Sequence, residues 1–217
     1  MLARIREHLD ASPPAGGVHH KPFAPVEAGG LGEPLATNDL IDLFREALET
    51  VNGNCSIVAD EAEAAGSLKQ LIEINQLKRI AVSDSPVVQR LMQQIDGQAE
   101  VLSNPEAEVL FECDAGVTSA QWAIAETGTL VLESKSERSR LVSLVPPMHI
   151  AIVEASRIRQ TMAEALKAVS NAGELSRTVT FITGPSRTSD IELTLAIGVH
   201  GPGKLHVIVI ENVKQTV

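Results

Sequence analysis

FITGPSRTSDIELTLAIGVHGPGKLHVIVI, from Phe181 to Ile210, is the stretch that decides the fold. The strand-like run TVTFIT (Thr178–Thr183) stops at Gly184-Pro185. Polar side chains follow, and a helix is predicted from Asp190 to Ile197. A second glycine cluster, GVHGPGK (Gly198–Lys204), leads into the apolar strand LHVIVI (Leu205–Ile210). Strand, helix and strand in that order form the unit from which open α/β sheets are built.

The same alternation extends upstream. Thr37 or Asn38 can cap a helix with Leu40, Ile41, Phe44, Ala47, Leu48 and Val51 at helical spacing, ended by Asn52-Gly53. CSIVA (Cys55–Ala59) reads as a strand, Asp60 to Asn75 as a helix, and RIAVS (Arg79–Ser83) as a strand. A helix then starts at Asp84 or Ser85 and runs through Met92. EVLFEC (Glu108–Cys113) reads as a strand and Thr118 to Ala123 as a helical turn. WAIAE and TLVLE flank Thr127-Gly128 like the arms of a hairpin. HIAIVE (His149–Glu154) is a strand and Ser156 to Val169 a helix. Several strands are apolar on both faces, as when helices cover both sides of a parallel sheet. The expected fold is therefore α/β: three layers around a mostly parallel sheet, made mixed by the hairpin.

The division expected is residues 1–36 as a short helix plus an arm, and residues 37–217 as one α/β domain. Ser12 to Pro34 holds five of the eleven prolines and five of the fifteen glycines, so it continues neither helix nor sheet. His19 and His20 lie in it without a third ligand nearby and read as a solvated loop.

The 217 residues are 44% hydrophobic and 21% charged, ordinary values for a globular chain. A net charge of -10 with no basic run, and only 2% aromatics, argue against nucleic-acid binding. Cys55 and Cys113 stand apart, outside any CxxC pattern, and read as small buried hydrophobes. The charged N-terminus is unlike a secretion signal, and no apolar run reaches membrane-spanning length. A cytoplasmic protein is expected.

Three loops carry possible chemistry. In TGPSRTSDIE, Ser189 and Glu192 make a capping box at the predicted helix start. The free amides of that first turn would point at the sheet's carboxyl edge, with Thr183, Ser186 and Thr188 adding hydroxyls, Arg187 a planar cation and Gly184 room for close approach. A phosphate or carboxylate would fit; so would a plain capped helix whose Asp190 and Glu192 already complement the dipole. His200 and Gly201, on the next glycine loop, can return to the same region. In AETGT, Glu126 sits beside Thr127 and Gly128 in an apolar neighbourhood. Desolvation would raise its pKa and suit acid–base or nucleophilic work; alternatively it bonds the amides of the turn after it. Lys135, Arg138 and Arg140 form a charged loop that would make a cationic lid if folded over the sheet edge.

Five blocks in order carry a resemblance: DAGVT (Asp114–Thr118), AIAETGTLVL (Ala123–Leu132), RLVSLVPPMHI (Arg140–Ile150), TGPSRTSDIE (Thr183–Glu192) and GVHGPGKLHVIVI (Gly198–Ile210). They resemble the lactate-utilization protein C family, or LUD domain. The resemblance implies a fold similar to the ribose-5-phosphate isomerase and CoA-transferase group. It also implies a role alongside two iron–sulfur partner proteins in oxidising L-lactate to pyruvate. Some members carry cysteine motifs; this chain lacks them and looks like the short form, with no cofactor of its own and clusters only in the partners. The first functional expectation is a non-cluster subunit that binds a small anionic metabolite near Glu126, Arg187 and His200. The second is a free-standing CoA-transferase-like or sugar-phosphate isomerase-like enzyme using Glu126, with Thr183–Thr188 gripping phosphate. A sensor or scaffold without chemistry is the third.

Overall fold

The computed structural model describes residues 35–95, 97–135, 140–171, 176–191, 194–197 and 201–212. The arm as far as Pro34, together with Arg138, Glu192 and His200, lies outside the described residues.

Six strands form one wholly parallel sheet: β1 (Asn54–Val58), β2 (Arg79–Val82), β3 (Glu100–Ser103), β4 (Ala115–Ser119), β7 (Met148–Glu154) and β12 (Lys204–Ile210). Their spatial order is β1-β12-β7-β4-β2-β3. Parallel neighbours need long crossovers, and the helices supply them. A second sheet of four strands has the order β8-β5-β6-β9, from β5 (Trp122–Ile124), β6 (Thr129–Glu133), β8 (Ile158–Arg159) and β9 (Val179–Ile182). The Thr127-Gly128 hairpin is real, pairing Trp122 with Val131. It lies in this second sheet, so the mixed main sheet expected from the sequence is corrected to a wholly parallel one.

Helix α1 (Thr37–Thr50) buries Ile41, Phe44 and Leu48, one apolar stripe at helical spacing. Neither Thr37 nor Asn38 caps it; the cap position is Ala36, without a side-chain bond. Helix α2 (Glu61–Ile74) is capped by Asp60, whose Oδ1 accepts from the amides of Ala62 at 2.9 Å and Glu63 at 3.0 Å. It packs with α3 (Pro86–Met92) against one face of the main sheet, around Leu68, Ile72, Leu91, Ile80, Val117 and Ile150. The opposite face, through Val153, Val207 and Val209, meets α1 and the inner side of the second sheet. Helix α5 (Met162–Asn171) covers that sheet's outer side over Trp122, Ile124 and Val131. The three-layer α/β expectation holds, with a second sheet inside one flanking layer.

Gly66 is exposed inside α2, and nothing lies within 4 Å of where its Cβ would stand. Gly66→Ala should stabilise the protein by about 0.5–1 kcal/mol through backbone propensity. An unchanged or lower denaturation midpoint would show that the position is not open.

Four expectations are corrected. Glu108–Cys113 is not a strand: Ala107–Leu110 forms the short helix α4, and the strand beside β2 is Glu100–Ser103. The tripeptide Glu-Val-Leu occurs in both places, so tertiary packing, not local preference, selects the conformation. Thr118 to Ala123 is not a helical turn, since β4 runs through Thr118 and β5 begins at Trp122. Its small residues serve a close approach: a Cβ on Gly116 would stand 1.8 Å from the Val142 carbonyl oxygen. Ser156 to Val169 is divided into a 3₁₀ turn, β8 and α5. Finally, the helix from Asp190 to Ile197 does not form. Instead β10 (Arg187–Ile191) pairs antiparallel with β11 (Thr194–Ile197). Thr188, Ile191, Thr194 and Ile197 are β-branched and favour extended backbone, and Ser189, read as the cap, lies with Asp190 inside β10.

Both cysteines are free thiols. Burial pushes the Cys55 thiol up to about 12. Ser56 and His206, 150 positions apart, meet across β1 and β12 at 2.8 Å.

Candidate functional site

The parallel sheet has two distinct edges, and each carries a hollow. At the amino edge, β7 and β12 begin beside the loop that leaves β9. The hollow there measures about 330 Å³ and is lined by Thr183, Gly184, Ser186, Arg187, Gly201 and His149, among others. Two loops are pinned together, since the Ser186 amide donates to the Pro202 carbonyl at 2.8 Å. Arg187 donates from Nη2 to the Val51 carbonyl at the end of α1. Gly184 has φ +80°, and a Cβ there would stand 2.7 Å from that same oxygen. A hydroxyl relay enters from the hairpin: Thr127 Oγ1 lies 2.7 Å from Thr129 Oγ1, which lies 2.7 Å from Thr183 Oγ1.

Thus Thr127, Thr183, Gly184, Ser186, Arg187 and Gly201 do meet in one region, and Gly128 lies beside it against Leu48. Thr188 follows Arg187 in β10, opposite Ala196 of β11. Two premises are corrected. No helix presents its N-terminus here, because the hairpin replaces it, and the loop stands at the amino edge rather than the carboxyl edge.

Glu126 is elsewhere. The 3₁₀ turn Ala125–Thr127 buries Ala125 and leaves Glu126 exposed, so the desolvated carboxylate expected from the apolar neighbourhood is not present. Its Oε1 accepts from the Met162 amide at 2.8 Å, at the start of α5, rather than from the turn that follows it.

His149 was read from the sequence only as the start of a strand. It is buried at the start of β7, opposite Gly116. Its Nε2 lies 2.9 Å from Thr118 Oγ1, and its Nδ1 has no hydrogen-bond partner among the described residues. Burial pushes the imidazole down to about 4, so it is neutral near pH 7.

At the carboxyl edge a larger cleft of about 590 Å³ opens between the ends of β2, β4 and β7. Asp84, Ser85, Ser119, Gln121, Glu154 and Arg157 come from those strand ends, and Glu133 and Lys135 from the end of β6. Glu133 is buried. Its Oε1 accepts from the Trp122 indole N–H at 3.2 Å, and its Oε2 accepts from the Ser176 hydroxyl at 2.9 Å and pairs with Lys135 Nζ at 3.2 Å. Among the described residues no three His, Cys, Asp or Glu side chains group as a metal site.

The sequence profile of the LUD domain matches residues 41–210. The chain belongs to the LUD domain family. A Lactate utilization protein C from Exiguobacterium sp. is 31% identical over 97% of this chain and 94% of its own. Another, from Deinococcus radiodurans, is 42% identical over 46% of this chain, and the match spans about half of that relative, 48%. The crystal structure of a DUF162 family protein from Deinococcus radiodurans superposes with a TM-score of 0.64 at 25% identity, covering 82% of this chain and 99% of that one. That neighbour carries the same three-layer α/β fold as this LUD domain.

The LUD domain's carboxyl-edge cleft was not legible as a unit in the sequence. Its residues are scattered from Asp84 to Arg157, and only strand order brings them together. Lys135 alone was foreseen, as part of a lid. Among the described residues no helix is long and apolar enough to cross a membrane.

Proposed function

We propose that the chain is the non-cluster subunit of a system oxidising L-lactate to pyruvate, working with iron–sulfur partner proteins that hold the clusters. In this reading it binds a small anionic metabolite in the amino-edge hollow. The role rests on relatives named Lactate utilization protein C, one of them similar over nearly the whole chain. The place rests on one observation: among the described residues lining that hollow there is a single cation, Arg187, and no carboxylate. The Thr183 and Ser186 hydroxyls and the neutral imidazole of His149 supply uncharged partners beside the guanidinium. A 2-hydroxy or 2-oxo carboxylate needs that combination of one cation and several neutral hydrogen-bonding groups.

Arg187→Ala removes one charge-assisted bond, worth about 1.5–3 kcal/mol. Affinity for lactate or pyruvate should fall roughly tenfold to a hundredfold by calorimetric titration. An unchanged affinity would exclude Arg187 from the site. The partnership is tested separately: the tagged chain should retain iron–sulfur proteins from lactate-grown cells, and cells lacking it should fail to grow on lactate. The competing reading, a CoA-transferase-like or sugar-phosphate isomerase-like enzyme, uses Glu126 as nucleophile or base. Glu126 is exposed and bonded to the α5 amide, which gives that chemistry less support.

A further inference from the structure

The chain's single tryptophan, Trp122, carries two guanidinium groups. The Arg157 carbon stands 5.1 Å from the ring centroid and the Arg159 carbon 4.5 Å. The indole is held at its edge by donating its N–H to Glu133 Oε1 at 3.2 Å. Arg157 has a carboxylate only at 3.8 Å, from Glu154. Arg159 donates to the carbonyls of Ser156 at 2.9 Å and Ile158 at 3.0 Å and makes no ion pair among the described residues. These groups line an open hollow of about 490 Å³ with Glu164, Lys167 and Asn171. Glu164, which also accepts from the Gln160 amide at 2.9 Å, pulls the Arg159 guanidinium back up, but it is one carboxylate against Arg157, Arg159 and Lys167. Trp122 and Arg157 also line the carboxyl-edge cleft, so the two hollows share a wall.

Two like charges stacked on one ring repel each other. Burial and the neighbouring Arg157 both push the Arg159 guanidinium down from its ordinary value. Cation–π contact offsets part of that repulsion, and a shared dianion would offset far more. A carboxylate brings one charge; a phosphate brings nearly two and several acceptor oxygens that match guanidinium forks. In a chain of net charge -10, a local pair of this kind is also the place that draws an anion in. The surface is concave, which suits a small molecule rather than a protein face.

We propose that Arg157 and Arg159, held on Trp122, anchor the phosphate of a small phosphorylated ligand whose remainder enters the carboxyl-edge cleft. This site is separate from the amino-edge hollow and does not rest on its occupancy.

Trp122 reports on the site directly, since no other tryptophan contributes emission. The full chain is titrated with sodium pyrophosphate at low ionic strength, with sodium chloride of equal ionic strength as control. The expected result is a saturable change in emission with pyrophosphate alone. Arg159→Gln should weaken it at least tenfold, while Arg187→Ala leaves it unchanged. Arg157→Gln gives the same reading if Arg159→Gln fails to fold. An identical response to chloride, or equal affinity in the Arg157 and Arg159 variants, overturns the proposal. So does a response to polyglutamate without one to pyrophosphate, which would make the hollow a docking point for an acidic partner. Loss of lactate or pyruvate binding in Arg187→Ala with pyrophosphate binding intact would separate the two sites.

Discussion

Gly128→Ala should lower the unfolding free energy by about 3 kcal/mol or more, the largest loss expected from any single added methyl in the hairpin. Two penalties coincide there. Gly128 has φ +63°, in the left-handed region, where a non-glycine residue costs on the order of 1–2 kcal/mol. Its Cβ would also stand 2.4 Å from the Leu48 amide nitrogen and 2.5 Å from the Leu48 Cα, so backbone of α1 must move. Leu48 is fully buried in the core between α1 and the two sheets, and it cannot move alone. For a chain of this size the melting temperature should fall by roughly 6–12 °C. Gly97→Ala separates the penalties: Gly97 has φ +64° with nothing within 4 Å, so it should lose only the conformational part. Equal losses at both positions would mean that the hairpin does not press on α1.

Stability should fall steeply as pH drops from about 6.5 to 4, and His149 should account for roughly 3 kcal/mol of that fall. In the folded state burial holds the imidazole down at about 4, against an ordinary value of 6.5. Between those values the unfolded chain binds the proton and the folded chain does not. Protons therefore favour unfolding there; the stabilisation is complete above 6.5 and gone below 4. Burial lowers His206 too, which adds in the same direction. Denaturant midpoints measured every half pH unit should show the slope, and His149→Asn should flatten it even if it lowers stability at pH 7. Parallel curves for the two proteins would show that the imidazole is not held neutral by the fold.

Much of the fold was visible because its strands are apolar and β-branched. Ser56–Val58, Ile80–Val82, Ile150–Val153 and Val207–Ile210 read as buried strands from composition alone, and all lie in the parallel sheet. The central strand β4 was missed for the opposite reason. Val142 presses on Gly116; Ala115, Thr118 and Ser119 are small as well, and small residues give no hydrophobic signal. The β10–β11 hairpin was misread because Ser189 and Glu192 match a capping box, while Ser189 lies inside β10. The amino-edge loop was found because turn chemistry is local: Gly184, Ser186 and Arg187 are neighbours in sequence as well as in space. His149 and Glu133 were not, since their burial and bonds come from what strand order sets beside them.

The last of the described strands sits second in the sheet, between β1 and β7. A nascent chain emerging from the ribosome must therefore hold β1 and β7 apart until Lys204–Ile210 arrives. Until then the trench later filled by Leu205, Val207 and Val209 is open and apolar. Such late, long-range closure slows folding and invites chaperone capture. A stop codon just before Lys204 should thus leave β1 with no strand to pair with, because it removes the plank that joins β1 to β7.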